Sequence, residues 1–273
     1  MSNITAADVS KLRKMTGAGM MDCKNALQEA AGDFDKAIEI IRKKGQAVAS
    51  KRAGREASEG VVLAKSAGNF GAMIVLNCET DFVAKNDDFV KTAESILDAA
   101  LKEKPGDLDQ LKSISVDGKV VNDIVIEKIG IIGEKLDLSY YAKIEAGTVV
   151  AYIHPGNKLA SLVGFNQGDI EEQVGKNVAM QIAAMDPIAI DETDVPSEIR
   201  EKELEIGREQ ARKEGKPENI IDRIAEGKLK KFYKDSTLLN QDFIKDNKMT
   251  IRDYLKSVDA GLAVTAFNRF SLT

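Results

Sequence analysis

Cys78 and His154 are the side chains of this sequence best suited to nucleophilic chemistry: a thiol, and the one imidazole that could take its proton. Cys78 closes the apolar run Met73-Ile74-Val75-Leu76-Asn77-Cys78, which reads as a buried strand, where a thiol is ordinarily inert. His154 opens His154-Pro155-Gly156-Asn157, good turn chemistry, where a histidine is ordinarily solvated. A single histidine excludes the two-histidine metal motifs. Gly175-Lys176 is followed by Asn177 and has no glycine five residues upstream, so it is not a phosphate loop. Gly17-Ala18-Gly19 follows no strand and has no glycine at position 22, so it is not a dinucleotide fingerprint. No covalent active site, cofactor site or metal site is expected.

Contact chemistry is better represented. Thr80-Asp81-Phe82-Val83-Ala84-Lys85-Asn86 follows that apolar strand and precedes Asp87-Asp88, acids that suit the positive end of a helix. An aromatic between an acid and a lysine at a strand-to-helix corner either packs inward or projects as a wedge for a partner. Met20 and Met21 follow the Gly17–Gly19 break. They are either small-domain core or an adaptable apolar contact surface.

The elements that must position these residues follow from periodicity. Residues 4–45 read as three short helices. Thr5 and Asp8 resemble a capping box, and Val9, Leu12 and Met15 recur at helical spacing. Cys23, Ala26, Leu27 and Ala30 form a second stripe, and Asp33 can cap a third helix bearing Phe34, Ala37, Ile38 and Ile41. Residues 46–58 read as an Ala/Lys/Arg/Gly-rich connector. Beyond it the period becomes strand-like, and an internal repeat appears: Val61–Val75 aligns at an offset of 88 with Val149–Val163. Each is strand, Gly-Asn turn, strand, followed by an acidic helix opening. Two related α+β subdomains with small antiparallel sheets are expected, with Leu136–Ile144 as a further strand of the first sheet or a bridge between the two. Val174, Val178, Ile182 and Met185 form a helical stripe stopped before Pro187. Twenty of the 37 residues in 198–234 are charged, too many for a core element. That stretch reads as a protruding antiparallel helical hairpin with a narrow seam: Ile199 with Ile206 and Leu204 with Ala211 on one helix, Ile221, Ala225, Leu229 and Phe232 on the other. A helix over Thr250–Val258 and a strand over Leu262–Leu272 follow.

Composition bounds the class. Apolar residues make up 43 %, enough for a core, while aromatics are only 5 %, so aliphatic and alanine-rich packing is expected. No apolar run approaches the ~18 residues of a membrane span, and the first residues lack the basic and apolar regions of a signal peptide. Two widely spaced cysteines fit free thiols in a reducing cytoplasm. Residues 1–55 carry eleven Lys/Arg against six Asp/Glu, a net of +5, so the remainder of a chain at −5 carries −10. No acid lies between Arg42 and Arg55. A basic stretch can bind nucleic acid, but this one lacks interleaved aromatics and adjoins an acidic body, so it is read as facing that body or a partner.

Leu12-Arg13-Lys14-Met15-Thr16-Gly17-Ala18-Gly19-Met20-Met21-Asp22-Cys23-Lys24-Asn25-Ala26-Leu27 closely resembles the N-terminal signature of bacterial elongation factor Ts, and residues 80–86 resemble the second signature of that family. The two stand in the family's order, and the resemblance runs over nearly the whole chain. It implies a guanine-nucleotide exchange factor for elongation factor Tu, built from a ubiquitin-associated-like (UBA-like) three-helix domain with its basic linker (1–55) and two core subdomains (56–146 and 147–273). The second subdomain would carry an antiparallel coiled coil as an insertion at 196–235. It also implies contact residues. Leu12, Met20 and Met21 would meet the partner's GTPase domain. Thr80, Asp81, Phe82 and Val83 would act near its magnesium site, with Phe82 inserting between helices, and His154 would reach the same domain. The coiled coil would touch the partner away from the nucleotide. The resemblance implies no cofactor, no direct nucleic acid and no membrane. Two departures stand out. Family members often continue into a C-terminal helical module where this sequence stops at Thr273. The family's Gly-Arg-Ile-Gly near the histidine is here Asn157-Lys158-Leu159-Ala160.

Overall fold

A computed structural model of the protein describes residues 4–272; the outermost residues of the expected domains, 1–3 and 273, lie outside the described residues. The chain divides into two compact units, one of residues 4–63 and 73–142 with Leu272, the other of residues 64–72 and 143–271.

The first unit begins with helices α1 (Ala6–Thr16), α2 (Met20–Glu29) and α3 (Phe34–Arg52). Thr5 caps α1 in a reciprocal capping box with Asp8, and Asp33 caps α3 by accepting from the Lys36 N–H. Val9, Leu12, Cys23, Ala26, Leu27 and Ala37 form the shared core. Two expectations change here. The stripe of α1 runs Val9, Leu12, Thr16, because the Thr16 hydroxyl turns inward to donate to the Leu12 carbonyl (2.9 Å) and accept from the Ala18 N–H (3.3 Å). Met15 is thereby left exposed. The third helix also continues to Arg52, so the connector begins only at Ala53: residues 46–51 contain no helix breaker.

The extension of α3 has a packing reason. After strands β1 (Glu59–Ala67) and β2 (Phe70–Cys78) come helices α4 (Asp81–Ala84), α5 (Asp87–Glu103) and α6 (Leu108–Ser113), a two-stranded ribbon β3 (Ser115–Val116) with β4 (Lys119–Val120), and helix α7 (Val121–Ile132). Helix α7 lies against α3. A Cβ on Gly130 would sit 2.6 Å from the Gly45 Cα, so the two backbones meet where neither residue has a side chain. The basic stretch is held by acids of the same unit: Arg42 by Asp123 (2.7 Å), Lys44 by Asp22, and Arg52 by Glu79 (2.8 Å). Strand β5 (Asp137–Glu145) completes a sheet of order β1-β2-β5, so the Leu136–Ile144 candidate joins the first sheet. Every residue of β2 is buried, and α5 buries Phe89, Ala93, Ile96, Leu97 and Ala100.

The second unit holds strands β6 (Thr148–Ile153) and β7 (Leu159–Phe165), helices α8 (Glu172–Met185), α9 (Ser197–Lys213) and α10 (Glu218–Ser236), and a ribbon of β8 (Asp242–Phe243) with β9 (Asp246–Thr250). Helix α11 (Ile251–Val258) and strand β10 (Val264–Ser271) complete it. Strands β10, β7 and β6 form an antiparallel sheet in that order. Helix α8 is tied to it by Ser161, whose hydroxyl donates to the Ala179 carbonyl at 2.7 Å. Val163, Phe165, Val174, Val178, Ile182, Ile251 and Leu255 fill the core. The tip of the β1–β2 hairpin belongs to this unit: the Gly68 and Asn69 carbonyls accept from the N–H groups of Val149 (2.9 Å) and Ala146 (3.0 Å). Both halves of the sequence repeat are thus strand-turn-strand, with Gly68 in one turn and Gly156 and Asn157 in the other at positive φ.

Helices α9 and α10 pack side by side as an antiparallel hairpin. Gly215 ends the first at φ +72°, and Pro217 opens the second. Ile221, Ala225 and Leu229 line the seam as expected. On α9 the buried residues are Gly207 and Ala211, whereas Ile206 is exposed. A Cβ at position 207 would lie 3.0 Å from the Ala225 Cα, so backbone proximity, not side-chain bulk, selects the inward face.

Candidate functional site

The corner after β2 is built by caps. Thr80 is extended (φ −124°, ψ 153°), and its hydroxyl accepts from the Val83 N–H at 3.4 Å, starting the single turn α4. Asp81 occupies the positive end of that turn and pairs with Lys85 at 2.7 Å. The hydrogen bond from Lys85 holds the Asp81 carboxyl below its ordinary pKa. Asn86 ends the corner and caps α5, its Oδ1 accepting from the N–H of Asp88 at 2.9 Å. Ala84 and Phe89 anchor the segment inside. Phe82 is two residues before Ala84, about 200° around the helical turn, and is left 83 % exposed. Of the two placements open to this aromatic, the structure shows the outward one. Val83 is half-buried beside it.

The corner is also gripped from behind. Glu134, just after the left-handed Gly133 that ends α7, accepts three hydrogen bonds through one carboxylate: from the N–H of Glu79 (3.2 Å), the N–H of Thr80 (3.0 Å) and the Thr80 hydroxyl (2.7 Å). Glu79 reciprocates by accepting from the Lys135 N–H (2.6 Å) and from Arg52 at the end of α3 (2.8 Å). The Lys135 backbone bond, followed by the Arg52 guanidinium, keeps the Glu79 carboxyl below its ordinary pKa. Cys78 is fully buried beneath this corner and donates its thiol hydrogen to the Thr80 carbonyl at 3.2 Å.

The other expected contact residues distribute differently. Met20 and Met21, in the first turn of α2, are exposed, and so is Met15. Leu12 is fully buried in the three-helix core. The expectation that it touches a partner is therefore corrected: its side chain is consumed by contacts with its own unit, and Met15, one turn further on, takes the outward position. Met15 also lines an apolar cavity of about 260 Å³ with Ile38, Ile41 and Ile131. In the second unit, His154 is exposed on the β6–β7 turn, with Nδ1 3.0 Å from the Tyr152 hydroxyl.

A family model described as elongation factor TS matches residues 79–273. The chain is 52 % identical over 269 residues to the elongation factor Ts of Azobacteroides pseudotrichonymphae, covering 98 % of each chain. It is 50 % identical over 270 residues to that of Porphyromonas gingivalis, again over 98 % of each, and 51 % identical to that of Christiangramia forsetii over the full length of both. The chain belongs to the elongation factor Ts family. The family match starts at Glu79, the first residue gripped by Glu134, while full-length identity with the relatives extends through the helices that carry Met15, Met20 and Met21. No helix of the described residues is long and apolar enough to cross a membrane.

Sequence reasoning missed Glu134, Glu79 and Met15. Nothing local marks Glu134, because its partners lie 54 and 55 residues away. Met15 fits a helical stripe as well as Thr16 does; only the inward hydrogen bonds of Thr16 decide between them.

Proposed function

We propose that this chain is the guanine-nucleotide exchange factor of elongation factor Tu in translation elongation, acting in the cytoplasm as a wedge and not as a covalent catalyst. One observation carries the reading: a large aromatic, Phe82, stands in solvent on a corner whose backbone is tied down on every side. Exposed apolar side chains of this size on a rigid mount suit a partner pocket.

The division of labour follows the site. Thr80 and Asp81 shape the turn, Phe82 inserts beside the partner's magnesium-positioning segment, and Val83 packs at its base. Bound GDP is held by Mg²⁺ and by phosphate-loop amides, so displacing that segment weakens both. Factor and nucleotide each bind the partner more weakly in the presence of the other, as linkage requires. Met20 and Met21, joined by Met15, offer a soft apolar surface to the same GTPase domain, with Leu12 supporting them from inside. His154 is a further contact from the second unit. In this reading residues 1–55 form a UBA-like docking domain with its basic linker, 56–146 and 147–273 are the core subdomains, and the 196–235 hairpin is a coiled coil that touches the partner away from the nucleotide. Neither nucleic acid nor a membrane is a direct partner.

The test is release of labelled GDP from elongation factor Tu with and without this protein. Acceleration at micromolar factor is the expected result. Unchanged release would refute the reading, and partner capture by residues 1–55 without acceleration would make the chain an adaptor.

A further inference from the structure

We infer that Glu134 is a positioning residue for exchange: it holds the Thr80–Phe82 turn in the conformation that presents the aromatic ring. The inference rests on the exchange reading and adds to it a residue outside the corner.

The geometry assigns the task to one carboxylate. Three donors converge on Glu134, two backbone N–H groups from consecutive residues and one hydroxyl. Both carboxylate oxygens are engaged, Oε2 by the two N–H groups and Oε1 by the hydroxyl. Because the Thr80 hydroxyl donates its hydrogen bond to Glu134 at 2.7 Å, the lone pairs of that oxygen face the Val83 N–H, so the same contact that anchors Thr80 orients the cap of α4. Helix α4 is a single turn with too few internal hydrogen bonds to persist by itself. The brace is mounted on a rigid element, since Glu134 follows α7, which is locked on α3 at the Gly45–Gly130 crossing. A second strut, Arg52 to Glu79 to the Lys135 N–H, ties the end of α3 to the same two segments. Without the brace the ring would still be exposed, but it would sample many orientations, and a wedge that must be ordered on binding loses effect on the rate-determining displacement.

The experiment uses the full-length chain and elongation factor Tu carrying labelled GDP. The maximal release rate at saturating factor and the affinity for nucleotide-free partner are measured for Glu134→Gln, Glu134→Ala, Phe82→Ala and the double variant Phe82→Ala/Glu134→Ala. Gln keeps the volume but offers one acceptor oxygen, so its amide must face either the backbone donors or the hydroxyl with the wrong group. Both Glu134 variants are expected to lower the maximal rate about tenfold with affinity within about threefold, and Glu134→Ala is expected to add nothing in the Phe82→Ala background. A wild-type maximal rate for Glu134→Gln, or the same tenfold loss on top of Phe82→Ala, would overturn the inference while leaving the exchange reading intact. A fully active Phe82→Ala would overturn the inference and the wedge role of Phe82, while exchange activity itself would stand.

Discussion

Just beyond the two halves of the internal repeat, the strand-to-helix corners carry different side chains. At the offset of 88, Thr80-Asp81-Phe82 corresponds to Gly168-Asp169-Ile170. In the second unit Asp169 adopts a left-handed backbone (φ +55°), and Ile170 is half-buried and packs against the core. In the first, Thr80 caps a helical turn, Glu134 holds its backbone and hydroxyl, and Phe82 points into solvent. One corner has been used to close a core and the other to open a surface. The first corner is also the longer, residues 79–86 with the extra turn α4 against residues 166–171, and it adds a cap, a brace and an exposed aromatic.

That contrast can be broken in several ways. The largest effect on stability is expected at the mount. Gly130→Ala puts a Cβ where the Gly45 backbone stands, and should cost about 1–3 kcal/mol as α3 and α7 are forced apart; chemical denaturation of the full chain measures it. Next come the two matched corner residues. Ile170→Ala, at a half-buried core position, should lower stability by about 1–2 kcal/mol, whereas Phe82→Ala, which exposes nothing and empties no cavity, should stay within about 0.5 kcal/mol of wild type. Equal losses at both would mean that the corners are not used differently. Thr80→Val removes the cap and one arm of the brace and should cost about 1 kcal/mol.

The smallest effect is the acid response of the strut. The Glu79 carboxyl sits below its ordinary value near 4.5, so its contribution is complete above that value and is lost as the pH falls through the depressed one. Between about pH 6 and pH 3 the melting temperature of Glu79→Gln should therefore fall less steeply than that of wild type.

Much of this arrangement was legible in the residues alone. The apolar strand ending at Cys78, the cap-forming Thr80 and the acids opening α5 define the corner through local rules. So do the hairpin turns, where Gly68, Gly156 and Asn157 supply positive φ, and the break at Gly215-Lys216-Pro217. What stayed hidden depends on contacts distant in sequence. The Glu134 brace joins residues more than fifty apart. The Gly45–Gly130 crossing explains why α3 runs on through a stretch that reads as a linker, and Gly207 displaces Ile206 from the α9 seam because backbone distance governs that packing. Leu12 and Met15 exchange expected roles through two hydrogen bonds of Thr16. Whether Phe82 faced inward or outward could not be read from its type, since core and wedge share the same aromatic preference.

The most direct test of the central claim is the maximal rate of GDP release from elongation factor Tu measured side by side for Phe82→Ala and Ile170→Ala. Loss of at least tenfold with Phe82→Ala, about 1.4 kcal/mol in barrier terms, and a rate within twofold of wild type with Ile170→Ala is the predicted pair of results. A Phe82→Ala protein that releases GDP as fast as wild type would contradict the account.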